Sequence, residues 1–135
     1  LLAGIAIQFG WLAALLFLYP AWAAVRMLEA VNYIQHYGLQ RSAAKFGPAD
    51  AWATDSWFTL HTFIGLSRHA DHHISAGQPY ARLRHCAESP RLPHGYFVSV
   101  LHVRLSNSGF LRAAHRELAA RGLGPFRPPQ RGGNA

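Results

Sequence analysis

Residues Trp11–Gly38 read WLAALLFLYPAWAAVRMLEAVNYIQHYG, and the way this stretch is divided decides the fold. With Leu1–Gly10 before it, it gives a run from Leu1 to Val25 with no charged side chain and only Gln8 as a strongly polar one. A helix needs about 20 apolar residues to cross a hydrocarbon core of about 30 Å, so the run is long enough to span. It is too long and too aromatic for a signal peptide and lacks a basic leader. Gly10 and Pro20 are its only punctuation. Proline is tolerated as a kink inside membrane helices, and a break at Pro20 would leave Leu1 to Tyr19 barely able to span. We therefore read Leu1 to Phe9 as the end of an earlier span, Gly10 as a turn, and Trp11 to Tyr37 as one long helix. Trp11 to Val31 would lie in lipid. Asn32 to Tyr37 would emerge at the interface, where Tyr33 and Tyr37 act as anchors, and Gly38 would end the helix. The abrupt start, Leu1-Leu2 without Met, reads as a piece of a longer protein whose upstream part is absent.

Every Lys and Arg falls between Arg26 and Arg131. That asymmetry places the rest of the chain on the cytoplasmic side of an inner membrane, in a multi-pass protein. A net charge of +7 and a pI near 10.5 raise nucleic acid as a partner, but no RNA-binding motif of interleaved basic and aromatic residues accompanies them. Positive charge beside a membrane span meets anionic lipid headgroups instead. The single cysteine, Cys86, excludes an internal disulfide and any multi-cysteine zinc site.

The organisation predicted is all-α. Residues 1–38 form a membrane helical region, 39–124 a cytoplasmic or interfacial helical part, and 125–135 a disordered tail rich in Pro, Gly and Arg. Gln40 to Ala53 reads as a loop with Gly47-Pro48 as its turn. Thr54 or Asp55 caps a helix running to about Ile74, ended by Gly77 and Pro79. Gln78 to Gly95 is loop-like, and Tyr96 to Leu105 is apolar and read as helix. Asn107 or Ser108 then caps a basic amphipathic helix, about Gly109 to Arg121, suited to a membrane surface.

Near the end of the predicted Thr54–Ile74 helix stands Arg68-His69-Ala70-Asp71-His72-His73. His69, His72 and His73 fall at i, i+3 and i+4, one face of a helix. Histidine is the commonest metal ligand, and three imidazoles at this spacing beside a membrane span point to ligation. Asp71 projects away from that face and is read as a carboxylate that orients the ligands. His36 is a further candidate, because its helix delivers it to the same edge. Glu29, Asn32 and His36 share a face, at i, i+3 and i+7. Two readings of Glu29 stand side by side: it neutralises Arg26, or, with Asn32, it forms the polar surround that orients His36. His61, with Phe58 and Phe63, is placed along a substrate channel. His85, His94, His102 and His115 are read as solvated. Imidazoles alone suit zinc, iron or copper. The position, beside an apolar interior, fits oxidation of a greasy substrate, and three adjacent histidines on one helix do not suit haem.

Three pieces of the chain together resemble the integral-membrane alkane 1-monooxygenases and the related xylene monooxygenase hydroxylase subunit, within the histidine-box, fatty acid desaturase-like superfamily. They are Leu28-Glu29-Ala30-Val31-Asn32-Tyr33-Ile34-Gln35-His36-Tyr37-Gly38-Leu39, Ser67-Arg68-His69-Ala70-Asp71-His72-His73, and Leu92-Pro93-His94-Gly95-Tyr96. Their order and spacing match the C-terminal part of that family. The resemblance implies two non-haem iron ions held by histidines, with O2 as co-substrate. It implies electrons from a rubredoxin or similar protein, and hydroxylation of a terminal methyl group on an alkane or alkyl-aromatic substrate. Carried over residue by residue, His36, His69, His72 and His73 match iron ligands, and Glu29 and Asp71 match supporting positions. Gln35 stands where alkane hydroxylases usually carry Glu, and Gln is more at home in the xylene-type branch. Ser67 replaces the usual Gln before Arg68. These departures bear on the substrate rather than the metal. Two further histidine boxes of the family are not in this sequence, so the chain by itself is expected to be inactive. The alternatives are a fatty-acyl desaturase or lipid hydroxylase of the same superfamily, or an inactive membrane fragment.

Overall fold

The computed structural model describes residues 1–41 and 45–127. Among them the secondary structure is helical, with one isolated parallel bridge between Ala53 and Arg91 and no strand. The helices are α1 (Leu2–Phe9), α2 (Trp11–His36), α3 (Trp57–Thr62), α4 (His69–Ile74), α5 (Tyr96–Leu105) and α6 (Asn107–Arg121). Contacts divide the chain into two units, Leu1–Asn32 and Tyr33 onward.

The first unit holds α1, the turn at Gly10 and α2 as far as Asn32. α2 runs through Pro20 without ending and is, among the described residues, the one helix long and apolar enough to cross a membrane. Its apolar side chains are turned outward, with Trp11, Leu16, Tyr19, Trp22 and Leu28 all exposed. That is how a helix facing lipid is written, since a core helix hides such groups. Arg26 and Glu29 form an ion pair one turn apart. Of the two roles read for Glu29, neutralising Arg26 is the one the structure displays.

The second unit has a true core. Ile34, Trp52, Tyr96, Phe110 and Leu118 are all but fully buried, each such side chain contributing about 1.5–3 kcal/mol of transfer free energy. Trp52 is its centrepiece. Its indole N–H donates to the carbonyl of Tyr37 at 2.8 Å, and its backbone N–H donates to the carbonyl of Gln35 at 2.9 Å. Two carbonyls at the helix C-terminus, which no further turn could satisfy, are thereby paired by one residue of the following loop. The Ala53 N–H then bonds Pro90, and Leu92 bonds back to Ala53, both at 2.9 Å. This short ladder ties the two predicted loops together.

Three sequence expectations are corrected here. The helix expected from Thr54 or Asp55 to Ile74 is two helices. Ser56 supplies the N-cap, its hydroxyl accepting from the Thr59 N–H. The chain then breaks at Phe63–Gly65, where Ile64 (φ 48°) and Gly65 (φ 77°) are both left-handed. A 3-10 turn, Leu66–Arg68, leads into α4. The apolar spacing of Phe63, Ile64 and Leu66 imitates helix continuation, and the glycine overrides it. The helix expected from Gly109 starts at Asn107, behind Ser106. Its apolar stripe, Phe110, Ala114 and Leu118, is buried inside the unit and so is not free to lie on a lipid surface. Of the expected tail, Pro125 and Phe126 belong to a 3-10 turn, Gly124–Phe126, and 128–135 lie outside the described residues.

Candidate metal centre

Four histidines come from two places. His36 is the last residue of α2, and His69, His72 and His73 lie on α4. The break at Gly65 sets the direction of α4 independently of α3, so a six-residue helix carries the cluster by itself. His36, His69 and His73 converge, with one ring nitrogen from each within 4.8 Å of the others. The Nε2 of His69 lies 3.1 Å from Nε2 of His36 and 2.9 Å from Nε2 of His73. Metal–nitrogen bonds of about 2.0–2.1 Å at right angles set neighbouring donors about 3 Å apart, so the spacing suits shared coordination.

The chemistry of the donors gives the same answer. A neutral imidazole nitrogen carries either one hydrogen or one lone pair. The His69 Nε2 faces two like atoms and cannot satisfy both by hydrogen bonding. Three lone pairs offered to one cation resolve the conflict. Burial acts first, and the neighbouring imidazoles of His73, His36 and His72 next, to push the His69 imidazole down to about 3. His73 is lowered too, by burial first and then by the neighbouring His36, His72 and Arg41. Both rings are therefore neutral near pH 7, the state a ligand needs. The Nδ1 of His69 is buried without a partner among the described residues.

His72 stands apart from the convergent nitrogens. Its ring lies 6.0 Å from that of His69 and 5.6 Å from that of His73, centre to centre. Asp71 is buried, at 3 % exposure, and turns away from the cluster. Its carboxylate accepts from the Arg84 backbone N–H at 2.7 Å, with the Arg84 guanidinium at 3.9 Å. The carboxylate expected to orient the imidazoles thus fastens α4 to the 80–84 segment. Phe46, which sequence reasoning missed, stacks on His73 at 4.5 Å between centres and meets the edge of His36 at 6.4 Å. No periodicity marks a lone aromatic in a loop. The three channel candidates separate. Phe58 and Phe63 pack on Phe97 of α5 at 5.6 and 5.2 Å. His61, with Leu60, Ile64, Arg68, Tyr80 and Leu83, lines a cavity of about 550 Å³. Among the other histidines, His115 meets the Tyr37 hydroxyl at 3.0 Å, and His102 has a buried Nδ1 without a partner among the described residues.

The described residues thus combine one helix long and apolar enough to cross a membrane with a trio of convergent imidazoles that could hold a metal ion. The fatty acid desaturase family profile matches residues 1–101, and the chain belongs to that family. It is similar to alkane 1-monooxygenase 1 of Pseudomonas aeruginosa, 41 % identical over 102 residues, which cover 71 % of this chain and 27 % of that protein. Alkane 1-monooxygenase 2 of Alcanivorax borkumensis is 41 % identical over 93 residues, 64 % of this chain and 24 % of that one. The alkane 1-monooxygenase of Acinetobacter baylyi is 37 % identical over 82 residues, 56 % and 20 %. The chain spans about a quarter of the length of the first of these curated relatives.

Proposed function

We propose that this chain is the C-terminal part of a membrane non-haem di-iron monooxygenase that hydroxylates terminal methyl groups of alkanes or alkyl side chains. The convergence of His36, His69 and His73 nitrogens within 4.8 Å carries the reading. The similarity to alkane 1-monooxygenases supplies the substrate class. His36, His69 and His73 would hold one iron, and His72 offers a fourth imidazole on the same helix toward a second. Residues 1–38 act as the membrane region, 39–124 as the helical part that carries the ligands, and the site faces the cytoplasm.

Iron bound there supplies the activation of O2, with two electrons and two protons, that places one oxygen atom in a C–H bond and releases the other as water. The electrons come from a rubredoxin or similar protein. What this chain's own residues contribute is definite. Burial and mutual repulsion keep the imidazoles neutral. Phe46 covers His73 and excludes water from its face. The Asp71–Arg84 bond fixes the helix from which three of the histidines project.

Membership of the desaturase family favours one second reading, acyl desaturation or lipid hydroxylation by the same site. The full-length protein, isolated from membranes, should contain about two irons per chain and convert octane to 1-octanol with O2 and a reduced rubredoxin. His36→Ala, His69→Ala and His73→Ala should each lose iron and activity. Full iron content in those variants refutes the assignment, and an olefin from a fatty-acyl substrate in place of an alcohol selects the second reading.

A further inference from the structure

The two segments that bring the imidazoles together are also joined through a buried glutamine and a buried tyrosine. The Gln35 side-chain amide donates to the Tyr96 hydroxyl at 2.8 Å, and that hydroxyl donates to the Leu66 carbonyl at 3.0 Å. Gln35 is 3 % exposed and Tyr96 not at all. Gln35 is the chain neighbour of His36, and Leu66 opens the 3-10 turn that runs straight into His69. Outside the relay, the Tyr96 backbone N–H donates to Thr59 Oγ1 at 3.0 Å. The Gln35 backbone carbonyl receives the Trp52 N–H.

The direction of this relay is forced. A phenol has one hydrogen to give. The Leu66 carbonyl can only accept, so the hydrogen goes there. Whatever sits on the other side of the phenol oxygen must then donate. A glutamine amide does so, and a glutamate carboxylate cannot. An ionised glutamate at this position would compete with Leu66 for the one hydrogen, and a buried group would be left unpaired.

We propose that Gln35 and Tyr96 are positioning residues that set the separation between His36 and the His69–His73 pair, through a one-way hydrogen-bond relay from Gln35 to Tyr96 to the Leu66 carbonyl. Neither touches the metal. Both act on the backbone that carries its ligands, and the inference rests on the reading of the imidazole trio as a metal site.

The test uses the full-length protein, stripped of metal and titrated with Co(II), whose ligand-field spectrum reports donor geometry. Tyr96→Phe keeps the ring and removes the relay. It should weaken Co(II) binding about 10- to 100-fold, as loss of a group supporting metal ligands does, and shift the ligand-field bands of the loaded protein. Gln35→Leu, which cannot donate to the phenol, should do the same. The double variant Gln35→Leu with Tyr96→Phe should lose no more than the worse single variant, because both break one relay. Thr59→Val removes the acceptor of the Tyr96 backbone N–H and leaves the three relay groups in place. It should lower the melting temperature and leave the spectrum in place. If Tyr96→Phe binds Co(II) with wild-type affinity and spectrum while His69→Ala binds none, the relay is refuted and the metal site stands. If Thr59→Val moves the bands as far as Tyr96→Phe, the effect is packing and the relay is refuted. If His69→Ala binds Co(II) as the wild type does, the metal reading itself fails.

Discussion

His69 shows how much of a site one residue can reveal. Its Nε2 lies between two others, its Nδ1 is buried, and its imidazole is held at about 3. That number fixes the sign of an acid effect. An unfolded imidazole takes its proton near 6.5, whereas the folded one resists until about 3. Between those values the unfolded state binds more protons, so its share of stability is full above 6.5 and lost as the pH falls toward 3. The metal-free protein should therefore show a lower unfolding midpoint at pH 5 than at pH 7, and His69→Gln should flatten that dependence. An unchanged slope in the variant would assign the acid sensitivity elsewhere. The histidines were legible because their spacing is a periodic signal. Asp71 was legible only as a carboxylate beside them, since the Arg84 N–H it accepts lies 13 residues away and has no sequence signature. Tyr96 likewise sits in the Leu92–Tyr96 motif without any hint of its link to Gln35, 61 residues earlier.

Among the elements, the break between α3 and α4 is the most consequential. Gly65 adopts φ 77°, and a Cβ there would lie 3.3 Å from the Tyr80 carbonyl oxygen. A left-handed residue with a Cβ costs about 1–2 kcal/mol. Gly65→Ala should lower the free energy of unfolding by that order and weaken metal uptake, since α4 would be redirected. A variant as stable as the wild type, loading metal normally, would show that the break does not orient the cluster. The long helix α2, the turn at Gly10 and helix α5 could be read from hydropathy and punctuation alone. The break could not, because the apolar spacing runs unbroken across it and tertiary contact with the 80–83 segment decides the backbone. The amphipathic α6 shows the opposite limit. Its stripe was visible, but periodicity does not say whether protein or lipid covers it.

At the scale of the whole molecule, one helix carries large apolar side chains outward from Trp11 to Leu28 while the second unit buries a core of its own. The protein should fractionate with membranes and resist extraction by carbonate at high pH, and detergent should release it. Recovery in the carbonate supernatant would place α2 against protein instead of lipid. The second unit also extends past residue 101, where the family match ends. Phe110 of α6 packs on Tyr37 at 5.9 Å between centres. Gly124 lies so close to the Gly38 carbonyl oxygen that a Cβ would come within 2.1 Å of it. The chain beyond residue 101 thus works as a splint, lashed to the residues directly behind His36. The seat of that imidazole is therefore assembled partly from Phe110 and Gly124, which lie downstream of the stretch the family profile matches.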